Sequence, residues 1–178
     1  MGASCTKSAC CTVMVCGRHH HSIPAGITKN EYPKYVPQIT QGRVVDVYDG
    51  DTITIVGYVK HNPELFRFSV RVNGIDCPEM KGKNENEKIV AKFAKQYIQD
   101  IIYDKVVTLE DVALDKYGRV LAKVMFGPRD IAKELLEKNM AVAYNGGTKI
   151  CPNDWLTFYL EKNKLTPEQE SMFKQNSV

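Results

Sequence analysis

Three short runs of this sequence carry carboxylates, and the second and third of them also carry basic side chains. They are Asp49-Gly50-Asp51-Thr52, Arg71-Val72-Asn73-Gly74-Ile75-Asp76-Cys77-Pro78-Glu79 and Asp115-Lys116-Tyr117-Gly118-Arg119. A hard divalent cation takes oxygen ligands, guanidinium donors stabilise the charge on a reacting phosphate, and a carboxylate can orient an attacking water. The three runs together therefore predict a site for phosphodiester hydrolysis.

Each run alone has an ordinary structural explanation, because Asp-Gly and Asp-Lys-Tyr-Gly sequences are common in tight turns. Turns do not explain Arg71, which falls in a predicted half-buried strand where an unpaired guanidinium is costly. Nor do they explain the acid at Glu79, where the following loop ends. A structural ion pair between Arg71 and a neighbouring carboxylate is the alternative to a catalytic role.

Composition indicates one globular domain. The 178 residues are 43% apolar and 25% charged, enough for one well-buried core. The net charge is only +3, from 24 Lys and Arg against 21 Asp and Glu, which argues against a protein that coats nucleic acid through its overall field. A nucleic-acid partner would have to be held locally, in a groove.

The cysteines do not form a disulfide framework. Four of the six fall within the first sixteen residues, and Cys77 and Cys151 stand alone downstream. The sequence has no apolar stretch of the length a membrane span needs and no recognisable secretory signal. These features favour a reducing, cytoplasmic compartment.

The elements that must position the three runs follow from hydrophobic periodicity. The predicted strands are 43–48, 52–58, 65–72, 106–112 and 119–126. In the first strand, Val45 and Val47 alternate with polar residues. Apolar residues four apart predict a helix over 85–102, and Asp130 can cap a second one. The order predicts a mainly β fold with helices (α+β), a five-stranded OB-fold-like barrel carrying two to four helices.

Three regions follow from this pattern. Residues 1–37 contain small residues, cysteines, prolines and glycine, and are predicted to be a disordered tail and linker. Residues 38–150 form the predicted barrel domain. Residues 151–178 form a helical extension, in which Thr166-Pro167-Glu168-Gln169 has the layout of a capping box.

In this order and setting, the three runs resemble the staphylococcal (micrococcal) nuclease family over roughly residues 41–146. The resemblance implies a Ca²⁺-dependent nuclease that cuts DNA and RNA with little sequence preference. It implies in-line hydrolysis in which the 5′ oxygen leaves and the product keeps a 3′ phosphate. No obligate protein partner is evident.

The resemblance also implies roles for individual residues. Ca²⁺ would be held by Asp51, Asp76 and the backbone carbonyl of Cys77. Glu79 would orient or deprotonate the attacking water, and Arg71 and Arg119 would brace the phosphate. The residues implied to contact nucleotide phosphates are Lys116, Tyr117 and Tyr144. The protein would supply only two carboxylate ligands, Asp51 and Asp76, so the cation should bind weakly without substrate.

The sequence departs from the family pattern at four places. Cys77 replaces a usual threonine, which a carbonyl ligand tolerates, although a thiol near the site could respond to oxidation. The hairpin between Asp51 and Arg71 is longer than usual, and the loop after Glu79 is shorter. A second tyrosine often found after Tyr144 is replaced by Asn145-Gly146-Gly147. These changes bear on substrate affinity and base preference.

The first six residues, Met1-Gly2-Ala3-Ser4-Cys5-Thr6, fit the N-myristoylation pattern at Gly2. A second lipid is needed for stable attachment, and the cysteines that could carry palmitate are Cys5, Cys10, Cys11 and Cys16. This predicts membrane association on the cytoplasmic side, and an origin in a eukaryotic cell or its virus. The alternatives are a metal cluster of Cys16 with His19-His20-His21, or a disordered start without function.

Two other functions compete with the nuclease. Barrels of this kind exist that have lost the acids and arginines and only bind nucleic acid or protein. A decayed site should lack at least one member of the set Asp51, Arg71, Asp76, Glu79 and Arg119, and all five are present. A lipid-anchored adaptor, whose barrel recognises a partner protein, is the third hypothesis.

Overall fold

The computed structural model describes residues 22–82 and 84–175. The chain divides into two compact units, which separate between Lys34 and Tyr35. The described part of the first unit is a loop in which the backbone N–H of Thr28 donates to Glu31 Oε2 at 3.1 Å. The second unit holds all the helices and strands described below.

The described residues of the second unit form eight strands and four helices. They are β1 (Gln41–Val47), β2 (Thr52–Tyr58), β3 (Leu65–Val72), β4 (Ile75–Asp76), α1 (Glu85–Ile102), β5 (Val106–Leu114), β6 (Val120–Phe126), β7 (Arg129–Asp130), α2 (Ile131–Glu137), β8 (Val142–Ala143), α3 (Trp155–Leu160) and α4 (Pro167–Gln175).

Five of these strands close into a barrel. Antiparallel pairing runs in the order β3-β2-β1-β5-β6, and β6 then pairs in parallel with β3. The parallel contact is short, joining residues 70–72 to residues 120–122. The prediction of an α+β fold with a five-stranded OB-fold-like barrel is confirmed. Closure places the end of β3, which pairs with the start of β2, beside the start of β6.

Alternation along the strands fills the barrel. In β2, Ile53 and Ile55 are fully buried, and the residue that follows each of them, Thr54 or Val56, is half-exposed. In β1 the expected alternation is wrong at one position, because the pairing register shifts between Val44 and Asp46. This bulge turns Val44 into the core and leaves Val45 on the surface.

Helix α1 packs an apolar stripe into the core of the domain. Asn84 caps the helix by accepting a hydrogen bond from the backbone N–H of Asn86 at 2.9 Å. The buried residues of the helix are Ile89, Val90, Ala91, Phe93, Ala94, Ile98 and Ile102. Their spacing of three and four places them on one face, as the periodicity predicts.

The C-terminal helices pack onto the same core. Trp155 and Tyr159 of α3 are buried, and the Tyr159 ring lies 5.4 Å from that of Phe93 in α1. The capping box predicted for α4 is formed, since the Gln169 N–H donates to Thr166 Oγ1 at 3.3 Å. Among the described residues, no helix is long and apolar enough to cross a membrane.

Candidate active site

Arg71 joins the first two runs through both arms of its guanidinium. Its Nη1 donates to Asp51 Oδ1 at 2.5 Å, and its Nη2 donates to Asp76 Oδ1 at 2.6 Å. The arginine side chain is 15% exposed, against 2% for Asp51 and 8% for Asp76, so both ion pairs are largely shielded from water. The structural ion pair proposed as the alternative for Arg71 is therefore present, and the same side chain also lines the cleft described below.

The turn between β1 and β2 places Asp51 rigidly. The Asp51 N–H donates to Asp49 Oδ1 at 3.2 Å, and Thr52 Oγ1 donates to Asp51 Oδ1 at 3.0 Å. The other oxygen, Oδ2, accepts the Cys77 N–H at 2.8 Å. Asp51 thus ties the turn to the loop that follows β4.

Gly50 is required where this turn approaches the rest of the domain. A Cβ at this position would lie 2.8 Å from Cys77 Sγ and 2.9 Å from the Cβ of Ala94 in α1. Both distances are shorter than normal van der Waals contact. The turn can reach its position only because the residue between Asp49 and Asp51 has no side chain.

The buried acids carry more negative charge than Arg71 compensates. Burial, followed by the charge of Asp49, raises the pKa of Asp51 to about 7, although the guanidinium acts in the opposite direction. Asp76 Oδ2 is buried, and it forms an ion pair with the ammonium of Lys149. Such a shortage of positive charge around buried carboxylates fits a site that takes a cation.

The donor set suits a hard cation that also takes ligands from outside the protein. Across residues 22–82 and 84–175, no cluster of three or more His, Cys, Asp or Glu side chains is arranged to hold a metal. Asp51 and Asp76 are two oxygen donors, and backbone carbonyls, water and substrate oxygen are ordinary further ligands of Ca²⁺. The residues present therefore fit the predicted ion, with an incomplete protein shell.

Glu79 stands at the mouth of this acidic cluster. Its side chain is 58% exposed, with Oε1 3.7 Å from Lys149 Nζ. Its backbone N–H donates to Glu87 Oε1 of α1 at 3.1 Å, and its carbonyl accepts the Gly82 N–H at 2.9 Å. The backbone is fixed while the carboxylate faces solvent, which suits a group that handles water.

The third run presents Arg119 from a tight turn. Asp115 Oδ2 accepts Arg119 Nε at 2.6 Å, and Asp115 Oδ1 accepts the backbone N–H groups of Tyr117 and Arg119 at 2.8 and 2.9 Å. Burial alone would raise the pKa of Asp115, but the hydrogen bonds from Arg119 hold it below its usual value. Tyr117 is exposed, and its ring centre lies 5.0 Å from Lys116 Nζ and 5.5 Å from Arg119 Cζ.

A cleft of about 460 Å³ brings residues of the second and third runs together. The predicted residues that line it are Arg71, Asp76, Glu79, Lys116, Tyr117, Arg119 and Tyr144. Asp51 and Cys77 do not line the cleft and are buried. A larger groove of about 1270 Å³ shares no residue with the cleft and includes a single acid, Asp111, so it does not hold this chemistry.

The structure describes Cys77, but it does not describe the amino-terminal residues predicted to carry lipids or to bind a metal. The Cys77 thiol is buried and its pKa is raised well above the usual value, chiefly by burial, which disfavours the reactive thiolate. Gly2, Cys5, Cys10, Cys11, Cys16 and His19-His20-His21 lie outside the described residues.

Sequence reasoning missed three residues of the site. Lys149 contacts Asp76 and Glu79, Asp49 raises the pKa of Asp51, and Glu87 holds the backbone of Glu79. The Asp49 carboxylate was visible in the first run. A lysine in a loop and a glutamate in the first turn of a helix are ordinary in sequence, so no pattern marked the other two.

Comparison with known protein families identifies the family of this chain. The model of the staphylococcal nuclease homologue family matches residues 69–163, more than half of the chain. The chain belongs to the staphylococcal nuclease family. The matched range contains Arg71, Asp76, Glu79 and Arg119, whereas Asp51 precedes it.

Curated relatives of this nuclease-family chain come from distant organisms. A probable endonuclease of Schizosaccharomyces pombe is 33% identical over 92 residues, covering 47% of this chain and 40% of the relative. Endonuclease Htp3 of Saprolegnia parasitica is 29% identical over 133 residues, covering 66% and 63%. An uncharacterized endonuclease of Haemophilus influenzae is 35% identical over 102 residues, covering 57% and 51%. The chain thus spans less than two thirds of each relative.

Proposed function

We propose that this protein is a Ca²⁺-dependent nuclease that hydrolyses DNA and RNA with little sequence preference and leaves 3′-phosphate ends. The observation that carries the proposal is that Arg71, Asp76, Glu79 and Arg119 line one cleft, where Arg71 also binds the buried Asp51. The three relatives compared above are named endonucleases, which supports the same activity.

The residues of the site would have different roles in the hydrolysis, according to their positions. Asp51 and Asp76 would hold the cation with the Cys77 carbonyl, and the bound cation would polarise the phosphate under attack. Glu79, at the exposed mouth of the cluster, accepts a proton from the attacking water and orients it. Arg71 and Arg119 donate hydrogen bonds to the phosphate oxygens, where negative charge grows in the transition state.

The outer part of the cleft would hold the nucleotide chain. Lys116 and Tyr117 project from the exposed turn before β6, and Tyr144 follows β8, where its N–H donates to the Gly74 carbonyl at 3.0 Å. An ammonium beside an exposed aromatic ring suits a phosphate next to a base that needs no specific hydrogen-bond pattern. This arrangement supports low sequence preference.

A nuclease assay with defined metal content tests the proposal. Single- and double-stranded DNA and RNA are incubated with the protein in Ca²⁺, in Mg²⁺ and in chelator, and the product ends are analysed. We expect cleavage in Ca²⁺ that leaves 3′ phosphates, with much slower turnover in Mg²⁺, because Mg²⁺ demands a tight octahedral shell. Substrate binding without cleavage in every condition would favour the binding module instead.

We also propose that the protein is attached to membranes on the cytoplasmic side in a eukaryotic cell. The support is the sequence pattern at Gly2 and the cysteines at positions 5, 10, 11 and 16. Gly2→Ala should move the protein to the soluble fraction, and serine at the four cysteines should weaken attachment. An unmodified Gly2 in mass spectrometry of wholly soluble protein would contradict this part.

A further inference from the structure

Lys149 brings a protein cation to the carboxylates predicted to hold the metal. It lies in the segment after β8, which lines part of the cleft, and its side chain is 31% exposed. The ammonium forms an ion pair with Asp76 Oδ2 and lies 3.7 Å from Glu79 Oε1. It therefore joins a predicted metal ligand to the predicted water-orienting group.

The oxygen that Lys149 contacts differs from the other buried oxygens of the cluster. Both oxygens of Asp51 and Oδ1 of Asp76 accept hydrogen bonds from protein donors. Asp76 Oδ2 is buried, and the Lys149 ammonium is its ion-pair partner. It is the oxygen of the two aspartates that Arg71, Thr52 and the Cys77 N–H leave to another cation.

An ammonium and a divalent cation cannot both contact this oxygen without strong repulsion. Asp76 pairs with Arg71 through Oδ1 and with Lys149 through Oδ2, so a divalent cation that takes Oδ2 must displace the ammonium. Lys149 is tethered by its backbone and stays near the cluster at any metal concentration. Its neighbour in the cleft, Lys116, points its ammonium at the Tyr117 ring and makes no ion pair among the described residues.

We propose that Lys149 is an internal counter-ion that competes with the divalent cation for Asp76. It is a positioning residue, which keeps Asp76 and Glu79 in place without metal and has to leave Oδ2 when the cation binds. The inference rests on the proposed metal-dependent function. It predicts that the lysine weakens cation binding and thereby links metal loading to movement of the segment after β8.

Calorimetric titration of Ca²⁺ into the full chain, without nucleic acid, tests this directly. Lys149→Gln should bind Ca²⁺ about tenfold more tightly than the parent, the size expected when one partly buried ion pair need not be broken. Lys149→Arg keeps the charge and should stay near the parent value. Lys116→Gln removes a charge from the same cleft without touching Asp76, and should change the Ca²⁺ affinity by no more than about twofold.

The outcomes separate this inference from the proposed function. Equal Ca²⁺ affinities in the parent and Lys149→Gln, with a raised KM for nucleic acid, would overturn the inference and leave the nuclease intact, with Lys149 as a phosphate contact. Weaker Ca²⁺ binding in Lys149→Gln would also overturn it. Ca²⁺ binding by none of the proteins, together with cleavage in chelator, would refute the calcium dependence itself.

Discussion

Replacing Arg71 by lysine probes the bridge on which the site is built. The guanidinium satisfies two carboxylates at once, at 2.5 and 2.6 Å, and these carboxylates are only 2% and 8% exposed. A single ammonium cannot reproduce the fork, so one of the two acids loses a charge-assisted hydrogen bond that water cannot replace. Such a loss costs about 1.5–3 kcal/mol of the free energy of unfolding.

Urea unfolding in chelator, followed by the fluorescence of Trp155, measures this cost. Trp155 is the single tryptophan and is buried in the core, so its emission reports global unfolding. With a urea slope of about 1–3 kcal/mol per molar, the midpoint should fall by roughly 1 M. Arg43→Lys is the matched control, since the Arg43–Asp104 pair is exposed and should contribute less than about 1 kcal/mol. If Arg71→Lys unfolds at the same midpoint as this control, the bridge does not stabilise the site.

Two further predictions concern stability. Gly50→Ala forces a Cβ against Cys77 and α1, so it should lower the free energy of unfolding by about 1–3 kcal/mol in the same urea titration. An unchanged midpoint would mean that the neighbouring side chains move aside without cost. Hydrogen bonds from Arg129 hold the pKa of Glu134 below its ordinary value of 4.5, so stability from this pair is present above pH 4.5 and is lost as the pH falls through the lower folded pKa. Glu134→Gln should show a shallower loss of stability in acid than the parent, and identical acid profiles would contradict this.

The barrel could be predicted because alternation and helical periodicity mark long elements clearly. Strand β2 and helix α1 have strong patterns, and their predicted limits match the structure. The bulge in β1 could not be foreseen, because two adjacent valines fit either register until β2 pairs with them. Strands β4 and β8 have two residues each, too few to carry a period.

The residues of the site also divide into those that the sequence predicts and those that it does not. Arg71 was found because a charged residue in a half-buried strand is unusual, and its two partners lie in the first run and in its own run. Lys149 was missed because it meets Asp76 only through the tertiary fold. No local sequence pattern indicates this contact. Site residues that lie in short sequence runs can be predicted, whereas a site residue from a distant loop can be found only in the structure.

The turnover of Glu79→Gln tests the central claim most directly. Nucleic-acid cleavage at saturating Ca²⁺ is compared for the parent, Glu79→Gln and the control Glu85→Gln, whose exposed carboxylate on α1 pairs with Lys88 away from the cleft. All three must show the parent circular dichroism spectrum. The mechanism predicts that kcat falls by about 10²-fold or more in Glu79→Gln alone, because the glutamine cannot accept a proton from the attacking water. Cleavage by folded Glu79→Gln at the rate of the control would contradict the mechanism.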